Sequence, residues 1–170
     1  MQKRVPTIIT ILWLLASLCV AKVYIYPSSE APIFSISFPD SWNVETKGEI
    51  LHANPPDGSI YLGLWALEDA ANIEDALASL DTVIAEQVTE VTWGEPEEVE
   101  INEIPAITVA GVGDVEGGQE VTVEVAVFSP NGEQEFILLY FGVPEAEEIY
   151  DADLSDILQS IVAVEQDMKK

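Results

Sequence analysis

From residue 33 the chain reads in short alternating runs. Phe34, Ile36 and Phe38 alternate with Ile33, Ser35 and Ser37, the period-two pattern of a half-buried strand. Pro39-Asp40-Ser41 then predicts a turn, with proline fixing φ and aspartate available to bond the backbone. Trp42-Asn43-Val44-Glu45 and Ile50-Leu51-His52-Ala53 predict two more strands. Pro55-Pro56-Asp57-Gly58 is a turn signal, and 59–67 follows as a longer strand.

The period then changes. Ile73, Leu77, Leu80, Ile84, Val88 and Val91 recur at steps of three and four, one apolar stripe along a helix. Asn72 is its expected N-cap, Asp75 stands three residues on, and Trp93-Gly94-Glu95-Pro96 ends it. Strands return at 99–101 and, after Asn102-Glu103, at 105–115. A hairpin is expected at Glu116-Gly117-Gly118-Gln119. Beyond it Val121, Val123, Val125 and Val127 share one face, and Ser129-Pro130-Asn131-Gly132 turns the chain again. The unbroken apolar run Phe136-Ile137-Leu138-Leu139-Tyr140-Phe141 predicts a central strand covered on both faces. A closing helix is expected over about 145–164, with Tyr150, Leu154, Ile157, Leu158 and Ile161 as its buried stripe. Strands joined by tight turns must run antiparallel. The order strands, helix, strands, helix therefore predicts one α+β domain, a mostly antiparallel sheet with helices packed on it.

On these residues a family resemblance stands. FSISFPDSW (34–42) resembles the opening hairpin of the PsbP-like superfamily: an aromatic strand, proline, an acidic residue, tryptophan. The mid-chain helix, the glycine hairpin at 116–118, the last apolar strand and the closing helix around Asp156-Ile157-Leu158-Gln159-Ser160-Ile161 follow the same plan. The resemblance spans nearly all of 30–164. It implies a PsbP-like α/β/α sandwich and an accessory role, as in photosystem extrinsic proteins and exported DcrB-like proteins, which are generally not enzymes. Its motifs are structural, so no functional residue carries over. Photosystem docking in that family uses basic residues, which this chain almost wholly lacks.

The N-terminus changes the picture next. Lys3 and Arg4 precede an apolar run, Ile8 to Ala21, the pattern of a secretory signal, and Cys19-Val20-Ala21 places cleavage after Ala21. Two alternatives remain: an uncleaved anchor with Val23-Tyr24-Ile25-Tyr26 at the membrane interface, and a lipoprotein attached through Cys19, where Leu18 departs from the usual small residue. All three put the folded part outside the cytoplasm. The expected organisation is a signal or anchor at 1–21, a linker at 22–31, the domain at 32–164 and a tail at 165–170.

Charge then narrows the partners. The chain has 31 Asp and Glu against six Lys and Arg. Once 1–21 is removed, Lys22, Lys47, Lys169 and Lys170 are the remaining bases and no cysteine is left. The domain must then rely on its core rather than on disulfides. Such a charge repels nucleic acid and anionic lipid. It fits a saline setting, or a protein partner of basic character in the cell envelope. Membrane contact is expected only through an uncleaved N-terminal segment.

No catalytic or cofactor-binding residue is singled out. His52 is the lone histidine and no Gly-x-Ser-x-Gly elbow exists, so a Ser-His-Asp triad has little to build on. A lone histidine without cysteine is also a poor zinc donor set. Trp65 and Trp93 are candidates to line a groove, with core packing the plainer role. Asp151, Asp153 and Asp156 are the candidate calcium ligands. An EF-hand loop counted from Asp151 would need glycine where Asp156 stands and glutamate where Val162 stands, so the stretch reads instead as an acidic helix start. The expected function is a non-catalytic exported accessory or binding module. A calcium-binding domain and a hydrolase of unrecognised type are the alternatives.

Overall fold

A computed structural model describes residues 21–67, 80, 84, 88–115 and 118–164. Strands β1 (Ala21–Pro27), β2 (Pro32–Pro39), β3 (Asn43–Lys47), β4 (Ile50–Asn54) and β5 (Ile60–Ala66) come first. After them come β6 (Val88–Trp93), β7 (Glu97–Ile101), β8 (Ile104–Val115), β9 (Gln119–Phe128) and β10 (Phe136–Gly142). Helix α1 (Pro144–Gln159) and β11 (Val162–Ala163) close the chain. The larger sheet has the order β3-β4-β5-β10-β9-β8-β6, with β7 pairing the remaining part of the β8 edge. The smaller has the order β1-β2-β11. Every recorded pairing is antiparallel. The chain is an α+β domain.

The unbroken apolar run at β10 is explained by its place. It lies in mid-sheet between β5 and β9. Phe136 and Leu138 enter one core cluster, while Ile137 and Leu139 enter another on the opposite face. On the first face, β2 supplies Phe34, Ile36 and Phe38, all buried. Phe34 meets Phe136 edge-on at 4.9 Å and Phe128 at 5.7 Å. Each such burial stabilises by about 1.5–3 kcal/mol. On the second face Val121, Val123 and Val125 of β9 pack with Val109 and with Leu80 and Ile84, two buried residues in helical conformation.

Trp42 links the first turn to the helix. Its backbone N–H donates to the Pro39 carbonyl at 2.9 Å, closing the turn. The side chain is buried, with its indole N–H donating to Asp153 Oδ2 at 3.0 Å and its ring edge-on to Tyr150 at 5.9 Å. The helix begins at Pro144, with Val143 at the N-cap and Glu145 and Glu147 in its first turn. The backbone thus starts the helix through proline's fixed φ, and the acids complement the dipole.

Four expectations are corrected. The segment 22–31 is not simply a linker, since β1 pairs β2 from Ala21 to Pro27. Val88 and Val91 belong to β6, not to a helix. Gly111 and Gly113 on β8 make room for this: a Cβ at Gly113 would lie 2.5 Å from Val88 Cγ1, so only glycine lets β6 close in. The closing helix stops at Gln159 rather than near 164, because Ser160 caps it and Val162–Ala163 pair with β2. Ile161 is still buried, but Leu158 is 37% exposed, outside the expected stripe. Asn72, Ile73, Asp75 and Leu77 of the mid-chain helix lie outside the described residues, as do 1–20, the turn residues 116–117 and the tail at 165–170.

Candidate functional site

The α1 helix does not close fully on the sheet. Between them lies a groove of about 480 Å³ reaching from β5 across β10, β9 and β8 to β7. Its floor is apolar, with Leu62, Ala126, Leu138 and Ile101, and Leu154, Ile157 and Leu158 of α1 form the wall. Four carboxylates line it: Glu100 on β7, Glu124 on β9, and Glu147 and Asp151 on α1. Among the described residues no lysine or arginine lines it. Strand alternation explains the floor, since Ala126 and Leu138 point toward α1 while Val125 and Ile137 point away.

Two of the carboxylates are held by hydroxyls. Tyr140 Oη donates to Glu147 Oε1 at 3.2 Å, and Thr108 Oγ1 donates to Glu124 Oε1 at 2.6 Å. Burial, with the charges of Glu147 and Glu124, pushes the Tyr140 hydroxyl above its ordinary value. It therefore stays protonated and acts as a donor. Glu147 and Asp151 are one helical turn apart, where like charges repel. The groove thus combines an apolar floor with negative charge that meets no lysine or arginine among the described residues. A shallower concavity of about 760 Å³ lies beside it, sharing Val99 and Glu100 and including Glu98, Ile107 and Glu135.

The candidate calcium ligands do not converge. At 3.6 residues per turn, Asp151 is turned well away from Asp153 and Asp156 around α1. Asp153 accepts the Trp42 indole N–H, and Asp151 lines the groove. The stretch lies in mid-helix, not at a helix start, because α1 already begins at Pro144. No group of three His, Cys, Asp or Glu side chains able to hold a metal occurs among the described residues.

His52 lies on β4 and its Nδ1 is 2.7 Å from the Tyr61 hydroxyl. Tyr61 in turn stacks on Phe141 at 4.7 Å. Burial and the nearby Lys47 charge hold the imidazole below its ordinary value, against an opposing pull from Glu45. The partner is thus an aromatic hydroxyl, an arrangement that fixes the ring on the sheet. Trp65 and Trp93 pack on the second core cluster, away from the α1 groove. Glu147 and Asp151 stand four apart on one helix, whereas Glu100 and Glu124 come from separate strands, so no local spacing joins the four.

No family model matches the chain, and no curated protein matches it. Solved structures do. A cyanobacterial PsbP from Synechocystis matches with a TM-score of 0.58 at 10% identity, covering 87% of this chain and 96% of that one. A protein from Bacteroides thetaiotaomicron matches with a TM-score of 0.58 at 16% identity over 88% of this chain, which spans only 50% of that protein. The Saccharomyces cerevisiae Ran-binding protein Mog1p matches with a TM-score of 0.53 at 10% identity, covering 86% of this chain and 97% of that one. Shared architecture at so little identity reflects the strand order and core rather than any common site. The fold of this chain is the PsbP-like fold.

Proposed function

We propose that this chain is a non-catalytic binding module that acts outside the cytoplasm, and that a protein partner docks in the groove under α1. The observation that carries the reading is the groove itself: a concavity between α1 and the sheet, with a buried apolar floor, the exposed Leu158 on its wall and carboxylates around it. A concave, apolar-lined site with a few convergent polar groups is the ordinary form of a ligand site. The fold supports the reading, since it also serves a Ran-binding protein. The extracytoplasmic placement rests on the sequence at 1–21, with cleavage after Ala21, so that Lys22 begins the mature chain one residue into β1. The same reading gives the sheet a helical layer on each face: α1 on one, and on the other the helix expected from the sequence, of which Leu80 and Ile84 are buried in helical conformation.

Affinity capture from envelope fractions of the source cells tests the docking site. Wild-type protein should enrich one defined partner, and the double variant Glu124→Lys, Leu158→Lys should lose it while keeping its thermal melt. Equal capture by both proteins would remove the groove from the reading. N-terminal sequencing of protein recovered from outside the cytoplasm should begin at Lys22. A start at Met1 would establish the anchor instead, and a lipid-modified Cys19 the lipoprotein.

A further inference from the structure

The geometry points to an arginine side chain of the partner protein, with an apolar side chain beside it, as the group that enters the α1 groove; this rests on the groove being the docking site. The first observation is the order of the residues that α1 contributes. Glu147, Asp151, Leu154 and Leu158 follow at steps of four, three and four, so they form one stripe along the helical wall. The acids hold its N-terminal half and the leucines its C-terminal half. At 1.5 Å per residue the stripe is about 16 Å long. Leu158, at 37% exposure, offers apolar surface that the buried floor does not.

The second observation is what the sheet adds to the acidic half. Tyr140 on β10 stands opposite Glu124 on β9, and its hydroxyl donates to Glu147 Oε1 at 3.2 Å. The charges of both glutamates bear on that hydroxyl. Glu124, Glu147 and, one turn on, Asp151 therefore gather at one end of the groove. Glu100 stands apart. Its ladder partner Pro105 lies five residues along β8 from Ala110, the partner of Glu124. Two strand spacings and five residue rises put Glu100 on the order of 20 Å from Glu124. The chemistry of the acidic end then selects the occupant. Glu124 and Glu147 each accept one hydroxyl, and a carboxylate has room for further donors. The described carboxylates form no group of three able to hold one metal ion, so a broad cation suits them better than a compact one. A guanidinium is planar, carries five donors and is more weakly hydrated than an ammonium. With its head among the three acids, its apolar stem lies along Leu154, and an apolar neighbour covers Leu158.

NMR titration of the full chain with capped tripeptides tests this. The peptide Arg-Ala-Leu should shift the resonances of Glu124, Tyr140, Asp151 and Leu158. Citrulline in place of arginine keeps the shape and removes the charge, and should weaken binding about tenfold. Lysine in that place should bind less tightly than arginine, and serine in place of leucine should weaken binding roughly fivefold. Glu124→Gln with Asp151→Asn should weaken the arginine peptide about tenfold and leave the citrulline peptide unchanged. Glu148→Gln removes a charge from the same helix at a position outside the lining, and should leave both unchanged. Equal weakening by Glu148→Gln would show attraction to a negative protein as a whole and overturn the proposal. So would an absence of shifts at the four residues, or equal binding of the citrulline peptide. Equal binding of the serine peptide would overturn the apolar neighbour. No preference for arginine, with partner capture still lost in Glu124→Lys, Leu158→Lys, would overturn the arginine and leave the docking site standing. A clear preference, with capture unchanged in that variant, would overturn the docking reading instead.

Discussion

Trp42 joins three parts of the molecule through one side chain: the turn after β2, the ring of Tyr150, and Asp153 on α1. Trp42→Ala should therefore cost roughly 3–5 kcal/mol, as truncation of large buried aromatics does. Trp42→Phe should keep most of the packing and lose about 1 kcal/mol with the hydrogen bond. Denaturant unfolding of both variants separates the two contributions, and equal losses would show the bond to Asp153 to be the whole effect. His52 gives a pH prediction. Its folded value lies below the ordinary 6.5, so the fold favours the neutral ring. The stability this contributes is fully present above pH 6.5 and is lost as pH falls toward the folded value. A proton NMR titration should place the His52 midpoint below 6.5, and His52→Gln should flatten that part of the stability profile. Because His52 only holds Tyr61, the same variant should leave partner binding intact.

The hairpin between β7 and β8 turns on two residues, Asn102 and Glu103, both with positive φ, at 47° and 68°. This is the backbone of a type I′ turn, for which Asn-Gly is the favoured pair. Asn102 suits its place, and its amide also donates to the Ile161 carbonyl at 2.9 Å, tying the hairpin to the chain just after α1. Glu103 does not suit its place, since a side chain in the left-handed region costs about 1–2 kcal/mol. Glu103→Gly should stabilise the domain by about 0.5–1 kcal/mol, after the added flexibility of the unfolded chain is subtracted. Thermal and urea unfolding measure this, and a loss of stability would mean the glutamate side chain makes a contribution larger than its strain. The turn matters beyond stability, because it sets the position of the β7 edge and of Glu100 in the groove.

At the scale of the whole molecule, charge dominates. The formal net charge is −25, and among the described residues one ion pair is recorded, Lys47 with Glu45, both well exposed. Folding draws the carboxylates together, so self-repulsion opposes it. Sodium chloride screens that repulsion over a Debye length falling from about 10 Å at 0.1 M to about 3 Å at 1 M. The melting temperature should rise steadily between low and molar NaCl. Calcium at millimolar levels should add no more than its ionic strength, because Asp151, Asp153 and Asp156 do not converge. A flat response to NaCl would refute the screening argument, and a step with calcium alone would establish a specific site.

Much of this domain was written into its sequence because the relevant physics is local. The alternation of Phe34, Ile36 and Phe38, the two-faced run at 136–141 and the turn at Pro39 each depend on neighbours a few residues away, and each stands in the structure as read. The PsbP-like plan follows from that order of elements. Long-range packing decided the rest. Val88 and Val91 fit a helical stripe equally well, but they pair with β8, where Gly111 and Gly113, some twenty residues on, leave room for their side chains. Glu90, with φ at 53°, likewise lies in β6 and not in a helix. The groove was legible only as scattered acids and leucines. Its carboxylates come together because α1 folds back to line one groove with β7, β9 and β10, a packing no local pattern encodes.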